Sequence, residues 1–190
     1  CKPELEDLFL NGINHIFLHG STYSPASAAW PGWKFYASVN FNENNPIWEE
    51  APALFEYIGR SQSLLQLGNA DNDLLIYWPI HDSWAKFNEG DPLVQFAIHR
   101  LDTWLSGTYF YDTAHHLIKQ GYGFDYLSDR FLEKVDVENG IIQLPGGNYH
   151  SIVVPKAQYM PLESLKKLLD LRQLGASVIF LGRPQQVPGL

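Results

Sequence analysis

Apolar residues recur in two different rhythms along this chain, and the rhythm changes near residue 70. Before that point, Pro3 to Leu10 predicts a short helix, with proline at its start and Asn11-Gly12 as its stop. Ile13 to Leu18 predicts a strand, with Ile16 and Leu18 on one face and His15, Phe17 and His19 on the other. A long connection follows from His19 to Asn45, rich in Gly, Pro, Ser and Trp. Loops of that length inside a domain are functional or disordered, and Tyr23, Trp30, Trp33, Phe35, Tyr36 and Phe41 argue against disorder. A helix is then predicted from an Asn45 cap, with Pro46 in its first turn and Glu49 and Glu50 at the positive end of its dipole. Ile47, Ala51, Leu54, Phe55, Ile58 and Leu65 form its apolar stripe, and Gly68 ends it. The polar stretch Asn69 to Asn72 is the expected boundary, giving domains over 1–68 and 73–190.

Beyond it, short apolar runs alternate with helical ones. Strands are predicted at Leu74–Trp78, Phe124–Leu127, Ile141–Leu144, Ser151–Val154 and Ser177–Leu181. Helices are predicted after Asp91-Pro92 (apolar at Leu93, Phe96, Ala97, Leu101 and Trp104), over Thr113–Gln120, after the Ser128 cap, and from Pro161 to Leu174. A Pro145-Gly146-Gly147 turn separates two of the strands. Apolar strands between helices imply an α/β fold, a parallel sheet covered on both faces in a flavodoxin-like arrangement.

Composition narrows the function. With 13 Lys and Arg against 21 Asp and Glu, the net charge of -8 argues against nucleic acid. The longest apolar runs, such as Ala176–Leu181, are too short to cross a bilayer. The single cysteine, Cys1, excludes an internal disulfide and a cysteine zinc cluster. It is either the lipidated first residue of a bacterial lipoprotein or a position within a longer chain.

Several residues are candidates for chemistry. His19 ends the predicted strand Ile13–Leu18, with Gly20 behind it. It is read either as a ligand-facing residue of a barrel strand or as a satisfied structural histidine. Trp30 and Trp33, with Tyr23 nearby, either stack on a sugar or plug the loop onto its scaffold. His81 and Asp82 follow a strand end, where a loop-structural role is the simpler reading. His115 and His116 are adjacent, which is wrong for a helical metal pair. Gly146-Gly147 lacks a phosphate-loop context, so a nucleotide or flavin role has no motif. Amidotransferase chemistry would need a cysteine nucleophile at an elbow, which this sequence does not provide.

Taken in order, some runs resemble a known family. Gly12-Ile13-Asn14-His15-Ile16-Phe17-Leu18-His19-Gly20, Tyr23-Ser24-Pro25, Trp30-Pro31-Gly32, Asn45-Pro46 with Trp48, and Tyr57-Ile58-Gly59-Arg60-Ser61-Gln62 resemble the end of the catalytic barrel in glycoside hydrolase family 106, the α-L-rhamnosidases. Asp73 to Pro79, Phe124 to Ser128, Ile152-Val153-Val154-Pro155 and Gly175 to Phe180 resemble the class I amidotransferase-like α/β domain that follows such barrels, shared with family 42 β-galactosidases.

The resemblance implies that Pro3 to Gly68 is the last helix–strand–helix of a (β/α)8 barrel. It implies sugar contact for His19 and Trp30, with Tyr23 and Trp33 as further candidate substrate-binding residues. It implies a secreted, periplasmic or extracellular inverting enzyme that depends on calcium, acting on rhamnose in plant or bacterial polysaccharides. No residue here matches either catalytic carboxylate, and Glu43, Glu49 and Glu50 fit helix starts better. No cofactor or calcium ligand is assigned to this chain, and the isolated chain is expected to be inactive. The exposed edge of Ile13–Leu18 is expected either to dimerise or to dock on the α/β domain. Two rivals remain, a carbohydrate-binding or interaction module using Trp30 and Trp33, and a flavodoxin-like nucleotide or flavin binder.

Overall fold

The computed structural model describes residues 1–37, 39–86, 97 and 100–189, which fall into two units, Cys1–Ala70 and Asp71–Leu190. The helix predicted after Asp91-Pro92 lies largely outside the described residues, which include its Ala97, Leu101 and Trp104 positions.

In the first unit, α1 spans Lys2–Leu10 with proline in its first turn, and the Asn11 side chain closes its end by donating to the Asp7 carbonyl at 2.8 Å. A 3-10 turn, Trp48–Glu50, leads into α2, Ala51–Leu65. Asn45 does not cap α2 as the sequence suggests. Its Oδ1 accepts from the Ile47 amide at 3.1 Å in a local turn, and Pro52 stands at the start of the α-helix instead. The two helices meet where Tyr57 donates to Glu6 at 3.0 Å, with Leu5 and Ile58 buried.

Ile13–Leu18 forms no strand, contrary to its alternating pattern. A strand needs a neighbouring ladder, and no described residue of this unit supplies one. The backbone instead bonds to side chains of α2 and its C-cap: the Ile16 amide donates to Gln62 Oε1, and Gln66 donates to the Asn14 carbonyl at 2.6 Å. The extended character survives, since the His15 and Phe17 rings stack 4.5 Å apart on one side.

The second unit holds β1 (Leu74–Tyr77), α3 (Ile80–Ala85), α4 (Leu101–Trp104), α5 (Tyr109–Lys119), β2 (Phe124–Leu127) and α6 (Asp129–Leu132). It continues with β3 (Asp136–Glu138), β4 (Ile141–Leu144), β5 (Gly147–Tyr149), β6 (Ser151–Val154), α7 (Leu162–Gln173) and β7 (Ser177–Phe180). Four strands make a parallel sheet in the order β2-β1-β6-β7, so the α/β expectation with a parallel sheet holds.

The continuous apolar run in β1 has a physical reason: both faces of the sheet are covered. Leu75 and Tyr77 pack with Leu127, Ile152, Val154, Leu168 and Leu171 on the α7 side. Ile76 faces the other way, against Phe110 and Ala114 of α5. Each such aliphatic or aromatic side chain contributes about 1.5–3 kcal/mol on burial. Ile141–Leu144 and Ser151–Val154 lie in different sheets, because β3-β4-β5 form a separate antiparallel meander. Its Ile142 and Tyr149 join the core on the α7 side.

Local signals set the helix ends. Ser128 caps α6 through the Phe131 amide, as its position predicts. α5 begins earlier than the predicted Thr113, because Thr108 Oγ1 accepts from the Tyr111 amide at 3.1 Å. Pro79 is followed by a short helix, α3, where a simple loop was expected. None of the described helices is long and apolar enough to cross a membrane.

Candidate functional site: an aromatic and asparagine cleft

The long connection between α1 and α2 is a knot of side-chain hydrogen bonds. Ser24 Oγ accepts from the Trp33 amide at 2.8 Å, and Thr22 Oγ1 donates to the Trp33 carbonyl at 2.7 Å. Asn42 reaches back 20 residues to donate to Thr22 Oγ1 at 3.0 Å. Asn45 donates to the Val39 carbonyl at 2.6 Å, and Asn40 Oδ1 accepts from the Phe35 amide at 2.7 Å. Trp30 Nε1 donates to the Asn44 carbonyl at 3.1 Å, which ties one end of the loop to the other. Gly32 sits where these strands of chain meet. Its φ is +81°, and a Cβ there would strike the Ser24 side chain and the Asn44 amide.

This knot encloses a cleft of about 360 Å³. Trp30 and Trp33 wall it, and Asn40, Asn42, Asn44 and Asn45 line it, with Lys34 beside them. Both indoles remain open to solvent, at 74% and 63% exposure. Apolar ring faces with a few placed amides are the composition of a small-molecule site for a ligand both flat and polar.

The structure thus brings together Trp30 and Trp33, but neither His19 nor Tyr23. His19 lies in an adjoining hollow of about 340 Å³, which shares Val39 with the cleft, beside Leu5, Phe17 and Leu54, with its ring edge-on to Phe35 at 5.1 Å. Tyr23 is 92% exposed and lines neither cleft. Glu43, Glu49 and Glu50 are exposed and line neither cleft. The four asparagines were missed by sequence reasoning, although four fall within the six residues from Asn40 to Asn45.

In the α/β unit, polar groups gather at the carboxyl edge of the parallel sheet. Asp129, in the first turn of α6, accepts from Tyr77 OH at 2.6 Å and from the Ser164 hydroxyl, and lies 3.4 Å from His81 Nε2. Burial first, and then the bond to Asp129, push the Tyr77 hydroxyl well above the usual tyrosine range. Tyr149 is pushed up likewise by burial and by its 2.8 Å bond to Asp125. Asp82 turns elsewhere, accepting from the Gln158 and Tyr159 amides at 2.9 and 2.7 Å. His81 and Asp82 therefore hold different loops. The network clamps α3, α6 and α7 to the end of β1, with both hydroxyl bonds on one oxygen of the carboxylate and His81 nearest the other.

His115 and His116 are exposed, with His115 stacked on Tyr111 at 5.5 Å. Among the described residues no three His, Cys, Asp or Glu side chains come together to hold an ion.

Sequence comparison supplies the family. The chain belongs to glycoside hydrolase family 106, whose profile, described as alpha-L-rhamnosidase, matches residues 1–190. A Formosa agariphila protein provisionally named beta-glucuronidase is 30% identical over 182 residues, covering 94% of this chain and 13% of that protein. The chain therefore spans about an eighth of the length of that relative. A crystal structure of beta-galactosidase from Bifidobacterium adolescentis aligns with a TM-score of 0.34 and 16% identity, over 58% of this chain and 40% of that one. That likeness is too distant to bear on fold or function.

Proposed function

We propose that this chain supplies part of the sugar pocket, and a supporting α/β domain, to a secreted glycoside hydrolase that removes terminal α-linked rhamnose or a related deoxysugar from plant or bacterial polysaccharides. The observation that carries the reading is the Trp30–Trp33 cleft with its four asparagines, in a chain of this family. Indole faces contact the C–H face of a pyranose, and the asparagine side chains, bonded within the loop, fix the walls around it. Tyr23 and His19, outside the cleft, would serve neighbouring sugar units or loop packing.

In this reading residues 1–68 are the end of a (β/α)8 barrel, and residues 73–190 form an amidotransferase-like domain without that chemistry. The extended run Ile13–Leu18 supports it. Phe17 is 81% exposed, and Leu64 and Leu67 of the same unit are 72% and 83% exposed, as expected of surfaces awaiting further barrel elements. A second copy of the chain pairing along that run is the alternative cover, and sedimentation distinguishes the two. The catalytic carboxylates lie on barrel strands outside these residues, so the isolated chain turns over no aryl rhamnoside.

The test is kinetic. In the complete enzyme, Trp33→Ala raises KM for an aryl rhamnoside by about thirtyfold, from about 2 kcal/mol of lost contact. Unchanged kinetics for both Trp30→Ala and Trp33→Ala would sink the proposal.

A further inference from the structure

The α/β unit carries a second cleft, of about 440 Å³, where β1 and β6 end; Asp82, Lys86, Tyr109, Lys156, Gln158 and Tyr159 are among its walls. We propose that it binds an anionic sugar, one bearing a carboxylate or a sulfate group. It shares no residue with the Trp30–Trp33 cleft and does not depend on that site binding anything.

Position is the first argument: ligands of open parallel sheets bind outside the carboxyl ends of the strands. The second is how the charges are disposed. Asp82, the acid in the wall, has its carboxylate occupied by main-chain amides, with Gln158 N at 2.9 and 3.1 Å from its two oxygens and Tyr159 N at 2.7 Å. Its charge is thus engaged in fixing the 156–159 loop. Lys156, carried by that loop, pairs with no carboxylate among the described residues. Instead its Nζ lies 3.2 Å from Tyr109 OH and 4.7 Å from the centre of that ring.

The lysine is also held in place along its stem. Gly182 lies against it so closely that a Cβ would come within 2.8 Å of Lys156 Cγ and 3.4 Å of its Cα. A cation at the wall of a cleft, with its stem against Gly182, its head against Tyr109 and no counter-ion among the described residues, is poised for an anion supplied from outside. Lys86 adds a second cation to the wall, and the Tyr109 and Tyr159 hydroxyls and the Gln158 carboxamide are its neutral polar groups. Such groups suit the hydroxyls of a sugar ring and are more than a bare ion needs. A nucleotide is disfavoured, since Lys156 already covers a face of the Tyr109 ring on which a base would stack.

The test is calorimetric titration of the whole chain with glucuronate, glucose 6-sulfate, neutral glucose and inorganic sulfate. Both charged sugars are expected to bind, with glucose and inorganic sulfate at least about tenfold weaker. Lys156→Met is expected to weaken the charged sugars by at least about tenfold while the circular dichroism melt is unchanged. Gly182→Ala, which displaces the stem without altering charge, weakens them in the same direction. Trp30→Ala leaves this binding intact, so failure here and failure of the Trp cleft are read separately. Inorganic sulfate binding as well as the sugars, glucose binding as well as glucuronate, no binding at all, or indifference to Lys156→Met would each overturn the proposal.

Discussion

Replacing Tyr77 by phenylalanine removes one hydroxyl from the interior of the α/β unit and little else. Tyr77 is fully buried, and its hydroxyl donates to Asp129 at 2.6 Å. A hydrogen bond to a charged acceptor is worth about 1.5–3 kcal/mol. Ser164 continues to serve the same carboxylate oxygen, so the lower part of that range applies, about 1.5–2 kcal/mol. Asp129→Ala is worse, because it leaves the Tyr77 and Ser164 hydroxyls without their acceptor, at about 1–3 kcal/mol each. The double variant falls short of the sum, since once Asp129 is gone the Tyr77 hydroxyl has nothing to lose. Urea unfolding followed through the amides of β1 and β6 measures all three, with the midpoint moving and the slope unchanged. A Tyr77→Phe midpoint equivalent to less than about 0.5 kcal/mol, or strict additivity, would refute the clamp.

Other consequences follow from the same geometry. Tyr77 and Tyr149 hold their protons above the usual tyrosine value in the fold, whereas the unfolded chain releases them near pH 10. Their contribution to stability is therefore complete below pH 10 and is lost above it, by up to about 1.4 kcal/mol per pH unit for Tyr77 and less for Tyr149, and Tyr77→Phe flattens that fall in alkaline urea titrations. Thr108→Ala removes the cap of α5 and lowers stability by about 1 kcal/mol, read as earlier amide exchange in its first turn. Gly32→Ala is strained by its φ of +81° and by collision with Ser24 and Asn44, so the Trp33 amide exchanges faster and the cleft opens.

The sequence was most legible where one local rule sufficed. Leu74–Tyr77 reads as a strand because it is apolar at every position, the mark of a sheet covered on both faces. The Ser128 cap and the Pro161 helix start likewise need only their neighbours. Ile13–Leu18 has the right alternation for a strand, but pairing depends on a partner that the pattern does not name. Tyr109-Phe110-Tyr111 has strand-like aromatic composition, and the Thr108 cap overrides it. Only His150 separates β5 from β6, so a change of sheet is hidden within a single residue. At the cleft, the tryptophans announced themselves by their size. The asparagines read as caps and breakers, since bonds such as Asn42 to Thr22 join residues 20 apart and leave no local signature.

The indole N–H signals of the chain test directly whether the Trp30–Trp33 cleft takes a sugar. The six tryptophans are Trp30, Trp33, Trp48, Trp78, Trp84 and Trp104. Titration with a methyl α-L-rhamnoside is predicted to move the signals of Trp30 and Trp33 and to leave the other four in place. Stationary Trp30 and Trp33 signals at saturating sugar, or equal movement of all six, would contradict the account.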